Sequence, residues 1–138
     1  MPNLNRILPL RLSNIMTTIA FILVITGVLL NACAQLLLKA GTNVVGHFEF
    51  SASNIMQVLP KFIFEWHILM GLMCYAISVV VWIGALSRTP VSIAYPMLSI
   101  GYVVNAIAAW YLFGEALTFT RIIGITVIIG GVYLITRS

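Results

Sequence analysis

Aspartate is absent from the 138 residues, and Glu49, Glu65 and Glu115 are the only acids. With seven lysines and arginines the charged fraction is 7%, far too little to cover the surface of a water-soluble domain of this length. Cysteine is also scarce. Cys33 and Cys74 both lie inside apolar runs, which argues against a disulfide framework and for thiols that act as small hydrophobes. No HExxH, CxxC, Walker loop or GxSxG occurs, and no glutamate has a second acid nearby, so the groups that catalysis needs are missing and no enzyme is expected. His47 and His67 stand without a ligand pattern, so neither a metal nor any other cofactor is expected.

Hydrophobic residues make up 62% of the chain and the mean hydropathy is +1.11, values that fit bilayer rather than water as the solvent. The net charge of +4 does not point to nucleic acid, because the cations fall one or two at a time at the ends of apolar segments instead of forming a patch. Cations so placed suit anionic headgroups and the positive-inside rule.

The expected fold is a single all-α membrane domain over residues 1–138, with four transmembrane helices at about 16–38, 66–86, 91–113 and 122–136. The first would extend roughly 35 Å, enough to cross about 30 Å of hydrocarbon with some tilt. Arg88-Thr-Pro90 reads as a turn joining the second and third helices in a tight hairpin. Arg121 and Arg137 bracket the short fourth helix and can snorkel to the two interfaces. Between the first two helices, Ala40 to Glu65 reads either as an extramembrane loop or as an interfacial helix. In the helical reading Ser53-Asn54 supplies the N-cap, Ile55, Met56, Leu59, Phe62 and Ile63 share a face, and Pro60 interrupts or ends the helix.

Four crossings place both termini and Arg88 on one side. Arg6, Arg11, Arg88 and Arg137 then oppose Lys39, Lys61 and Arg121, a slight bias that favours cytoplasmic termini. Leu30-Asn31-Ala32-Cys33 loosely matches a lipoprotein processing site, but Asn31 is awkward there and the apolar run continues past the cysteine, so an uncut helix is expected.

Polar residues inside the spans carry the functional expectation. Asn31, Gln35 and Lys39, spaced i, i+4, i+8, form a stripe down the first helix. An amide facing hydrocarbon is unfavourable without a partner, so the stripe should face other helices, either bonding to them or lining a polar path. Ser92, Tyr95 and Ser99 share a face of the third helix, where Pro96 should bend the backbone and free a carbonyl. Gly101, Gly124, Gly130 and Gly131 are expected to permit close helix packing, and Glu115 to pair with Arg121 across a short turn.

The run Pro90-Val-Ser-Ile-Ala-Tyr-Pro-Met-Leu-Ser99, the Gly114-Glu115 turn, Gly124 through Gly131, and Ala34-Gln35 followed by Lys39 resemble the drug/metabolite transporter superfamily in its small four-helix, EamA-like form. Within it the chain is most similar to the small subunits of the flippase for 4-amino-4-deoxy-L-arabinose-phosphoundecaprenol in the bacterial inner membrane. The resemblance implies a transporter subunit for a lipid-linked sugar, paired with an identical or sister subunit in a membrane of lipids, with no nucleic-acid partner. It implies substrate contacts at Asn31, Gln35, Tyr95 and Ser99, with Lys39 or Arg121 meeting the headgroup at one interface. Small multidrug resistance exporters look similar around Ala94-Tyr95 and Leu38-Lys39, but they carry a membrane-embedded glutamate where this chain has Asn31, and usually a tryptophan where it has Leu98. Proton-for-cation exchange needs that carboxylate. Two rivals remain at this stage, an exporter of cationic small molecules and a non-transporting accessory of a membrane glycosyltransferase.

Overall fold

A computed structural model describes the backbone of residues 4–137 and the side chains from Thr18 to Arg137. Six helices follow one another, α1 (Leu4–Val45), α2 (Ala52–Phe64), α3 (Trp66–Leu86), α4 (Val91–Met97), α5 (Ser99–Phe113) and α6 (Phe119–Arg137). Four stretches are long and apolar enough to cross a membrane, Thr18–Val45, Trp66–Leu86, Val91–Phe113 (α4 with α5) and Phe119–Arg137. The chain is a multi-pass membrane protein. The side chains of Arg6 and Arg11, on which the expected orientation partly rests, lie outside the described residues.

The first helix continues seven residues past Leu38, because nothing obliges a helix to stop where hydrocarbon ends. Thr42 Oγ1 returns its hydrogen bond to the Lys39 carbonyl at 2.9 Å, and the helix closes only at Gly46, whose φ of +87° reverses the chain. The following segment is the helix α2, and two details differ from expectation. Its N-cap is Ser51, whose side chain accepts from the Asn54 N–H. Pro60 lies within the helix without ending it. The carbonyl that this proline deprives of a donor belongs to Met56, which is exposed and can meet water or headgroups. Ile55, Met56, Leu59 and Ile63 are exposed along one face, while Phe62 stacks edge-on against Phe48 at 5.2 Å.

The hairpin between α3 and α4 forms as expected, with Ser87 capping α3 and the Pro90 carbonyl accepting the Ile93 and Ala94 N–H groups. After Pro96 the third span divides into α4 and α5 at Leu98, which keeps right-handed helical angles (φ −56°, ψ −25°) while its N–H turns back to the Tyr95 carbonyl in a tightened turn. The fourth span begins earlier than expected, because Thr118 accepts the Arg121 and Ile122 N–H groups through its hydroxyl and carbonyl. Arg121 therefore sits inside the first turn of α6. Its Nη1 donates to the Ala116 carbonyl at 2.9 Å, and among the described residues no ion pair joins it to Glu115. At a half-open turn the fixed carbonyl offers a good partner without the entropy cost of ordering a second long side chain.

Val24 and Val28 of α1, Ala85 of α3 and Met97 of α4 form the core, with Trp82, Leu98 and Val132 packed around them. The main contact is α1 on α3, and small residues make it close. A methyl group added at Gly71 would lie 3.0 Å from Leu38 Cγ and 3.2 Å from the Ala34 carbonyl. Gly101 likewise meets Val28. In contrast, α6 touches only α4 and α5 among the described residues and buries no residue. Gly124, Gly130 and Gly131 have nothing within 4 Å of where a side chain would begin, so within one chain they do not serve the packing expected of them.

Glu65 fastens the start of α3. Its Oε2 accepts the Ile68 N–H at 3.0 Å, and its Oε1 accepts from His67 Nδ1 at 2.9 Å. The His67 bond foremost holds the carboxyl below its ordinary value of 4.5, with burial opposing and the Ile68 N–H assisting. A lowered folded pKa means that the stabilisation is complete above the unfolded value and is lost as pH falls through the folded one. Between about pH 5 and about pH 3 the thermal midpoint in detergent should therefore fall further for the wild type than for Glu65→Gln. Equal falls would show that this carboxylate is not the acid-sensitive group.

Candidate functional site

The break at Leu98 positions two cavities. The first, about 410 Å³, lies between α1 and α5 and is lined by Asn31, Gln35, Leu98, Gly101, Tyr102 and Asn105 among others. The second, about 250 Å³, lies between α1, α3 and α4, with Asn31, Tyr75, Ser78, Trp82, Tyr95 and Leu98 on its walls. Asn31 and Leu98 belong to both. Asn31 lies two turns inside Lys39, about 12 Å along α1, so the polar walls meet within the hydrocarbon.

Each amide is held loosely. Gln35 Nε2 donates to Asn31 Oδ1 at 3.5 Å, a length at which a hydrogen bond contributes little, so most of their bonding capacity is open to a ligand. Asn105 Oδ1 is buried and has no partner. An orphaned acceptor in an apolar setting costs about 1–3 kcal/mol, and a donor entering the first cavity would relieve that cost. In the second cavity the Tyr95 ring packs edge-on against Trp82, with centroids 6.0 Å apart, while the Ser78 hydroxyl is used up on the Tyr75 carbonyl at 2.7 Å. Among the described residues no ionised side chain lines either cavity.

The six residues named from the sequence thus separate. Asn31, Gln35 and Tyr95 come together around the Leu98 break. Ser99 opens α5 half-buried and lines neither cavity. Lys39 borders a third cavity two turns further along α1, and Arg121 stands exposed at the head of α6. Tyr102 and Trp82 were not anticipated, since aromatics in an apolar run give no polar signal. Asn105 did give one, as the only amide in the third span.

Comparison with known proteins identifies the family. The family model for Small Multidrug Resistance protein matches residues 43–128. The chain belongs to that family. The matched stretch begins beyond Asn31 and Gln35. A probable 4-amino-4-deoxy-L-arabinose-phosphoundecaprenol flippase subunit ArnF from Sodalis glossinidius is 38% identical over 112 residues, covering 79% of this chain and 84% of that one. Its counterpart from Proteus mirabilis is 33% identical, covering 83% and 89%. A probable subunit ArnE of the same flippase from Escherichia fergusonii is 39% identical over 66 residues, or 48% and 60% of the two chains. No solved structure matches.

Proposed function

We propose that this member of the family is one subunit of a flippase that carries a polyprenyl-phosphate-linked sugar, such as aminoarabinose-phosphoundecaprenol, across the bacterial inner membrane, with its termini in the cytoplasm. The observation that carries the reading is the pair of intramembrane cavities walled by amides and hydroxyls, with no ionised group among the described residues, in a chain whose relatives are named as flippase subunits. A polyprenyl tail can remain in lipid while only the phosphate and sugar need a polar path. Asn31 and Gln35 on one wall face Tyr102 and Asn105 on the other, and Tyr95 extends the path beyond Leu98. Arg121 gives one donor to Ala116 and keeps its others for a headgroup. This is carriage without covalent chemistry. Proton-driven drug export is disfavoured, because its mechanism needs a titratable carboxylate where both cavities present Asn31.

The unburied α6 favours pairing. Its open glycine positions, Gly124, Gly130 and Gly131, offer a close-approach face to a second subunit, and ArnE and ArnF are names of two subunits of one flippase. A sister chain is thus the proposed partner.

The test is passage. Proteoliposomes holding the chain with its sister subunit should move a lipid-linked aminosugar, and mass spectrometry should find polyprenyl-phosphate sugars enriched among lipids that co-purify in mild detergent. Only bulk phospholipid, no passage, and raised resistance to quaternary ammonium compounds would together replace the flippase with an exporter. Co-purification with a glycosyltransferase without passage would favour an accessory.

A further inference from the structure

The stripe that begins at Asn31 and Gln35 does not end at Lys39. Because α1 runs on to Val45, Asn43 follows Lys39 by one more turn and His47 lies just beyond the helix end. Lys39, Asn43 and His47 border an open cavity of about 380 Å³ that Phe48 and Phe50 also line. Four features define its chemistry. Lys39 is exposed, and among the described residues the only ion pair is His67 with Glu65, so its ammonium is uncommitted. Asn43 and His47 add N–H donors. Among the described residues no carboxylate lines the cavity, although Glu49 is close in sequence. The two phenylalanine rings, 5.3 Å apart edge to face and tied through Phe48 to Phe62 of α2, add an apolar part to the lining.

A cation with neutral donors and no acid selects an anion, and an apolar wall beside it selects an anion that carries a hydrocarbon portion. Lys39 lies where a spanning-length helix leaves the hydrocarbon, so its natural counter-charge is at headgroup depth. From this we infer a second binding site, in which Lys39, Asn43 and His47 hold the phosphate of an anionic lipid headgroup against Phe48 and Phe50. The twelve residues from Asn31 to Asn43 rise about 18 Å, so one helix connects this station to the intramembrane cavities. That the station loads cargo into the groove rests on the flippase reading; that it binds a phosphate headgroup does not.

Native mass spectrometry of the full chain in mixed micelles of phosphatidylglycerol and phosphatidylcholine tests the site. The wild type should retain phosphatidylglycerol preferentially. Lys39→Gln should lower that retention about tenfold, about 1.4 kcal/mol, as loss of one charge-assisted hydrogen bond predicts, while Lys39→Arg keeps most of it. Asn43→Ala should lose part. Lys61→Gln, an exposed cation outside the cavity, should retain as much as the wild type. Unchanged retention in both Lys39→Gln and Asn43→Ala, or an equal loss in Lys61→Gln, would overturn the site, the latter by reducing it to general surface charge. Displacement of the lipid by an equal concentration of inorganic phosphate would reassign it to free anions and also defeat the lipid assignment. Retention of phosphatidylglycerol and passage of a lipid-linked sugar are separate readouts, so loss of this site leaves the flippase reading standing and absence of passage leaves this site standing.

Discussion

Replacement of both Asn31 and Gln35 by leucine is expected to abolish headgroup passage in proteoliposomes while membrane insertion and thermal stability stay near wild type. The two amides bond to each other and to no other side chain, so removing both leaves no orphaned partner, and large apolar side chains suit a mid-membrane helix. What disappears is the polar wall facing Tyr102 and Asn105. Each amide contact withdrawn from a crossing headgroup costs about 1–3 kcal/mol, and two together should slow passage on the order of a hundredfold. Wild-type passage by this variant would remove the groove from the proposal.

Gly41→Val should have the largest effect on stability, lowering it by about 2–4 kcal/mol. Any side chain at Gly41 would overlap Ile68 Cγ1 and come within 2.8 Å of Glu65 Oε2. Neither neighbour can yield cheaply, since Ile68 is a stiff, β-branched and buried residue and Glu65 Oε2 is engaged in capping α3. Alanine at Gly41 should fall between, because its better helix propensity, worth about 1 kcal/mol, offsets part of the crowding. Gly130→Ala, with open space around it, serves as the control. Unfolding followed by circular dichroism in detergent ranks the three, and equal stability of Gly41→Val and wild type would show that α1 and α3 do not approach at Gly41 as described.

The spans were readable in the sequence because bilayer solvent imposes one strong rule, a continuous apolar length, and Trp66–Leu86 and Val91–Phe113 obey it to the residue. Helix ends outside the hydrocarbon follow weaker rules. Thr42 bonds back to the Lys39 carbonyl in the last turns of α1 and Gly46 closes the helix, local bonds that polarity alone does not reveal, and Ser51 wins the α2 cap over Ser53 by where the chain happens to reverse. Asn31 and Gln35, which line a cavity, stood out for the same reason as the spans, as polar exceptions in lipid need a partner. Ser99, expected to share the face of Tyr95, lines neither cavity, and spacing along a helix does not say which of its polar residues a cavity will reach. The Glu115–Arg121 pair was read from spacing alone, which carries no information about the competing Ala116 carbonyl.

The neutrality of both cavities has a kinetic meaning. A fixed charge at mid-bilayer would trap a phosphate in a deep well, whereas scattered dipoles that trade places with water give a shallow trough. Such a passage forgoes tight grip for short dwell time, and so favours turnover over affinity.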